Sequence, residues 1–92
     1  MIYTLVLSDE AVGHLKELQK SGQKKVLLKI ARLLQALQLH PSTGTGQVEQ
    51  LRGNLAGLWS RRIDKGARMI YRIEEDKVIV FVISLKGHYS DK

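Results

Sequence analysis

The chain has no cysteine, a single proline, and only three tyrosines, one tryptophan and one phenylalanine. Without cysteine there is no disulfide framework, no thiolate nucleophile and no cysteine-held metal, a composition that suits a reducing cytoplasm. With so few aromatics, a base-stacking platform built from many rings is not expected. Metal-ligand spacing is also missing among His, Asp and Glu, so no metal or cofactor is expected. No apolar run approaches the ~18 residues that would span a bilayer, and Met1–Val12 carries no positively charged leader, so a soluble protein without a membrane partner is expected. Acids are scarce as well: nine Asp and Glu against 15 Lys and Arg give a net charge of +6. That excess points to a polyanionic partner, nucleic acid or an acidic protein.

Ninety-two residues are enough for one domain with one modest core, spanning residues 1–92. Ile2–Leu7, rich in β-branched and aromatic residues, reads as a strand. Ser8 followed by Asp9 and Glu10 reads as a helix start, the hydroxyl capping free N–H groups and the acids sitting at the positive end of the dipole. Ala11, Leu15 and Leu18 mark one helical face to about Lys20, and Ser21-Gly22 breaks it. A longer helix from about Gln23 to Leu39 follows, with Val26, Ile30, Leu33, Leu34 and Leu37 at spacings of three and four. The pair makes an antiparallel hairpin whose outer face carries Lys16, Lys20, Lys24, Lys25, Lys29 and Arg32, a solvated surface. His14 and His40 read as structural or solvent-facing.

Pro41–Gly46 is a loop that lacks the strand-to-helix setting and the lysine of a phosphate-binding loop. Three strand segments come next: Val48–Leu51 running on through Gly53 and Gly57 to Leu58–Ile63, then Ala67–Ile73, then Val78–Leu85. Asp64-Lys65-Gly66 and Glu75-Asp76 turn the chain between them. Val78–Leu85 is apolar on both faces and belongs inside a sheet. The expectation is an α+β fold in the order β-α-α-β-β-β. It has an antiparallel-dominated sheet, the helical hairpin on one face and the other face at least partly open.

The richest stretch is Glu49–Tyr71, which sets Arg52, Arg61, Arg62, Lys65 and Arg68 against Glu49 and Asp64. Strand alternation sends Trp59, Arg61 and Ile63 to one side and Leu58, Ser60 and Arg62 to the other, so the two adjacent arginines cannot share one job. Taken singly, each arginine suits an ordinary solvated strand position, and Glu49 suits a surface ion pair. As a set they suit phosphate. Beyond the last strand, His88 and Tyr89 add a group that titrates near neutral pH within reach of an open face.

With those residues in view, the chain resembles the Txe/YoeB family of RelE-like messenger-RNA interferases, toxins of bacterial type II toxin–antitoxin pairs. The resemblance is densest in Glu49-Gln50-Leu51-Arg52, Asn54–Ile63, Arg68-Met69-Ile70-Tyr71 and Gly87-His88-Tyr89. It implies a RelE-like fold and a ribosome-dependent endoribonuclease that cuts messenger RNA in the decoding site, is neutralised by an acidic, partly disordered antitoxin, and often forms a homodimer. Glu49 matches the family's general base, Arg68 its transition-state arginine and His88 its general acid; Tyr89 matches the adjoining tyrosine, and Arg52 and Arg62 match basic residues lining the site. Arg61 is expected among the RNA contacts as part of the same basic cluster. Arg52 stands where a relative has lysine, and Ser90-Asp91-Lys92 extends past the His-Tyr pair.

The chemistry is coherent on its own terms. Metal-free RNA cleavage by the neighbouring 2′-hydroxyl needs a base for that proton, cations for charge developing on the phosphorane, and an acid for the departing 5′-oxygen. Glu49, the arginines and His88 meet those needs. A non-cleaving module of the same fold, which blocks the ribosome or acts through antitoxin and operator DNA, is the alternative. It gives a carboxylate among arginines nothing to do.

Overall fold

The computed structural model describes residues 2–44 and 47–87. Its elements are β1 (Thr4–Leu7), α1 (Asp9–Lys20), α2 (Lys24–Leu39), β2 (Glu49–Gln50), β3 (Trp59–Arg62), β4 (Arg68–Glu74) and β5 (Ile79–Gly87). Ser8 caps α1 as its chemistry requires, its Oγ accepting from the Ala11 N–H at 3.0 Å, with Asp9 and Glu10 in the first turn. Gly22, at φ +69°, supplies the left-handed residue that turns α1 into α2.

The sheet order is β1-β5-β4-β3-β2, parallel between β1 and β5 and antiparallel elsewhere, so the expected α+β arrangement holds. One expectation is corrected. The segment from Val48 to Ile63 is not one run of strand but a hairpin, in which β2 pairs with β3 and the sheet gains a fifth strand. Gly53 at φ +67° and Gly57 at φ +93° bracket a single 3₁₀ turn over Gly53–Leu55, a backbone path that side-chain-bearing residues resist.

The helices cover one sheet face. Ala11, Ile30, Leu33 and Leu37 meet Met69, Tyr71, Val80, Val82 and Leu85 there. Leu37 is wholly buried, so truncation to alanine is worth about 2–5 kcal/mol. The lysines and Arg32 named on the outer helix face are all exposed. β1 ends opposite Val82, leaving the next stretch of β5 without a strand neighbour on that side. There α1 takes over. The Leu85 N–H donates to His14 Nδ1 at 3.1 Å, which makes His14 structural and satisfies a donor the sheet leaves open.

Candidate active site

The uncovered face is built by register. Glu49 pairs with Ser60, Ser60 with Ile70, and Arg62 with Arg68, so these side chains share the side of the sheet away from the helices. Met69 and Tyr71, between them in β4, point into the core. Arg68 is held by hydrogen bonds from Nε to Ser60 Oγ at 2.9 Å and from Nη2 to the Gln47 carbonyl at 2.7 Å, and Nη2 makes an ion pair with Glu49 Oε1 at 3.9 Å. Its side chain is 12% exposed against 44% for Glu49, so the guanidinium is fixed while the carboxylate stays open to solvent. Arg62 donates from Nη1 to Gln47 Oε1 and from Nε to the Asp64 carbonyl, each at 3.3 Å.

Two guanidinium groups facing each other across adjacent strands repel, and an anion placed between them relieves that repulsion. Glu49 supplies part of the relief. A phosphate would supply more. Arg52 is exposed at the entry to the 53–55 turn, and Lys65 is exposed in the β3–β4 turn. β5 closes the constellation from the other side, because Gly87 pairs with Arg68. A Cβ built on Gly87 would lie 2.4 Å from Ile70 Cγ1, so only glycine lets β5 run this close to β4 at the step before His88. His88 and Tyr89 themselves lie outside the described residues.

Arg61 departs from expectation. It is fully buried, on the core side, and Nη2 donates to the carbonyls of His40 and Thr43 at 2.8 Å each and to that of Pro41 at 3.4 Å. Tyr71 Oη donates to the same Pro41 carbonyl at 2.7 Å, and the Arg61 guanidinium lies 5.9 Å from the Tyr71 ring centroid. Burial pushes the Tyr71 phenol up, with Arg61 opposing the shift. Arg61 therefore braces the end of α2 and the loop after it, where the helix's negative pole favours a cation. It is not an RNA contact. The reason is the alternation already read from sequence: position 61 shares the face of Trp59 and Ile63.

Sequence reasoning missed Ser60 and Gln47. Ser60 had a signal, since it shares the parity of Arg62 on β3. Gln47 had none. It adopts φ +49°, unusual for a residue with a side chain, and serves Arg68 through its carbonyl and Arg62 through its amide oxygen.

A small α+β domain with a mixed five-stranded sheet, a covering helical hairpin and an arginine-lined open face that includes Glu49 defines the class. The family model for the YoeB-like toxin of bacterial type II toxin–antitoxin systems matches residues 8–89, and the chain belongs to that family. It is 38% identical over 69 residues to Toxin YoeB of Mycobacterium bovis, covering 75% of this chain and 79% of that one. The YoeB/ParE toxin from Agrobacterium tumefaciens superposes with a TM-score of 0.86 at 30% identity, covering 94% of this chain and 99% of that one. A YoeB dimer from Staphylococcus aureus superposes at 0.84, also at 30% identity, covering 97% and 100%. The same organism's heterotetrameric YoeB–YefM toxin–antitoxin complex superposes at 0.80 with the same coverage. The chain is thus a type II toxin with the YoeB/RelE fold.

Proposed function

We propose that this toxin is a ribosome-dependent messenger-RNA endoribonuclease acting without a metal, with the 2′-hydroxyl of the substrate as nucleophile. The observation that carries the reading is the Glu49–Arg68 pair, a solvent-open carboxylate 3.9 Å from a firmly held guanidinium on an arginine-lined face. Pure phosphate binding is served by the cations alone, whereas cleavage by the 2′-hydroxyl needs a carboxylate among them to take a proton. In this assignment Glu49 accepts the 2′-hydroxyl proton, Arg68 stabilises the phosphorane, and His88 protonates the departing 5′-oxygen. Arg62, Arg52 and Tyr89 hold the strand. Much of the rate is assigned to the ribosome aligning the 2′-oxygen with the phosphate, a contribution of several kcal/mol, of order 7–11 at most.

Residues 1–92 act as one unit in the cytoplasm, where an acidic antitoxin covers the same face, and a homodimer is the expected free assembly. The YoeB–YefM complex and the YoeB dimer of Staphylococcus aureus support these two partners. Among the described residues no three His, Asp or Glu side chains are grouped to hold a metal. On this reading cleavage on programmed ribosomes should survive excess chelator at fixed ribosomal magnesium. The deciding measurement is mass spectrometry of the product ends. Attack by the 2′-hydroxyl leaves a 2′,3′-cyclic phosphate, or the 3′-phosphate from its hydrolysis, and a free 5′-hydroxyl; 5′-phosphate ends would make water the nucleophile and remove the roles given to Glu49 and His88. Ribosome binding with no cut strand at all would favour the non-cleaving module.

A further inference from the structure

Two positions beyond Ile70 on the same open face, Arg72 pairs across the sheet with Phe81, the chain's one phenylalanine. The guanidinium carbon sits 5.0 Å from the Phe81 ring centroid, over the ring. Nε and Nη2 of Arg72 both donate to Glu74 Oε2, at 3.1 and 2.9 Å, so the planar group is clamped by a carboxylate at its edge and a ring beneath. The Arg72 side chain nevertheless remains 46% exposed. On the open face the same row continues through Val6 of β1, itself 39% exposed.

We propose that Arg72 and Phe81 form a stacking seat for a nucleobase of the RNA strand whose phosphate lies at Arg68. A guanidinium held over a ring can offer its other side to a second flat π-system, and unstacked bases are commonly held on arginine planes in this way. Glu74 determines which use of Arg72 survives. Its carboxyl is held below the ordinary range, first by the hydrogen bond from Arg72 and also by Lys77 at 3.7 Å, so it stays ionised and offsets part of the positive charge that Arg72 would otherwise turn toward phosphate. What remains is a flat, pre-oriented surface, costing little further side-chain entropy when a base lands on it. Arg68 and Arg72 are four residues apart on one strand, about 13 Å at ~3.3 Å per residue. A stacked strand covers that span in about four nucleotides at ~3.4 Å each, and an unstacked one in fewer. The seat therefore belongs to a base near the cut but outside it, and it would give the enzyme a sequence preference at that one position, since purines stack over more area than pyrimidines.

This inference rests on the cleavage reading, and its test keeps the two apart. Messenger RNAs carrying 2-aminopurine at successive positions around the cut, and a 2′-O-methyl group at the cut nucleotide so that it stays whole, would be bound with the toxin on programmed ribosomes. Quenching by the wild type is expected at one or two adjacent positions within about four nucleotides of the cut. Arg72→Lys keeps the charge and loses the plane, so it should abolish the quench as fully as Arg72→Ala. On cleavable RNA both should raise KM about five- to fifty-fold with kcat kept. Phe81→Leu, which preserves apolar bulk, should give a partial loss. Wild-type quenching and KM in Arg72→Lys would overturn the seat, as would a loss confined to antitoxin affinity, which would make this row a protein contact. Quenching without any cleavage by the wild type would leave the seat standing and remove the nuclease reading.

Discussion

Arg61 and Arg62 are neighbours in the chain and lie on opposite faces of β3: Arg61 is wholly buried under three loop carbonyls, while Arg62 reaches the amide of Gln47 on the open face. Their substitution should separate stability from activity. Arg61→Ala leaves a cavity and removes the guanidinium donor from the carbonyls of His40, Pro41 and Thr43, a loss of about 3–5 kcal/mol. Arg62→Ala should cost within about 0.5 kcal/mol. Urea unfolding midpoints measure both. Equal losses would contradict the division of labour.

The open face divides chemistry from binding. Arg68→Ala and His88→Gln should each lower the single-turnover cleavage rate by about two orders of magnitude or more, with ribosome affinity nearly kept. Arg52→Ala should weaken binding and reduce the salt slope by roughly one counterion, with a smaller loss of rate at saturation. Glu49→Gln should fall below Arg68→Ala in severity, because alignment of the 2′-oxygen on the ribosome carries part of the rate without the base. A rate for Arg68→Ala close to wild type at saturation would leave the phosphorane without its cation.

On the proposed reading the antitoxin competes for the same charges. An extended, partly acidic segment lying across Arg52, Arg62 and Arg68 would block RNA while it orders on binding. Changing Arg52 and Arg62 together to glutamate should weaken the complex and flatten its salt dependence in calorimetric titration. Unchanged affinity would place the antitoxin elsewhere.

Tyr71 makes the fold sensitive to alkali. Its phenol is raised above the ordinary 10.0 by burial, so above that pH the unfolded chain releases a proton that the folded chain keeps. Stability from this residue is complete below about pH 10 and falls as pH rises further. Tyr71→Phe should lose about 1 kcal/mol at neutral pH with the bond to Pro41, and should flatten the alkaline slope. Tyr3, raised by its hydrogen bond to Glu75, also titrates there, so Tyr3→Phe is the comparison that isolates Tyr71.

Local chemistry made much of this protein legible from residues alone. Ser8 with two acids behind it could only start a helix well, and the periodicity to Leu39 placed both helices within a residue of where they lie. The alternation through Trp59–Ile63 already separated Arg61 from Arg62. What it could not say was which face would be covered, because both parities carried an arginine and only the packing of the helices into one core with Met69 and Tyr71 decides that one side is core. That decision took Arg61 out of the site. The hairpin between β2 and β3 was hidden for a different reason: Gly53 and Gly57 permit a turn without requiring one, and the pairing of Glu49 with Ser60 is non-local. Gln47 is the extreme case. Nothing about a glutamine in a loop predicts a left-handed backbone or a carbonyl aimed at Arg68; both are set by the tertiary structure, where Gln47 lies just before β2 and within reach of the Arg68 guanidinium.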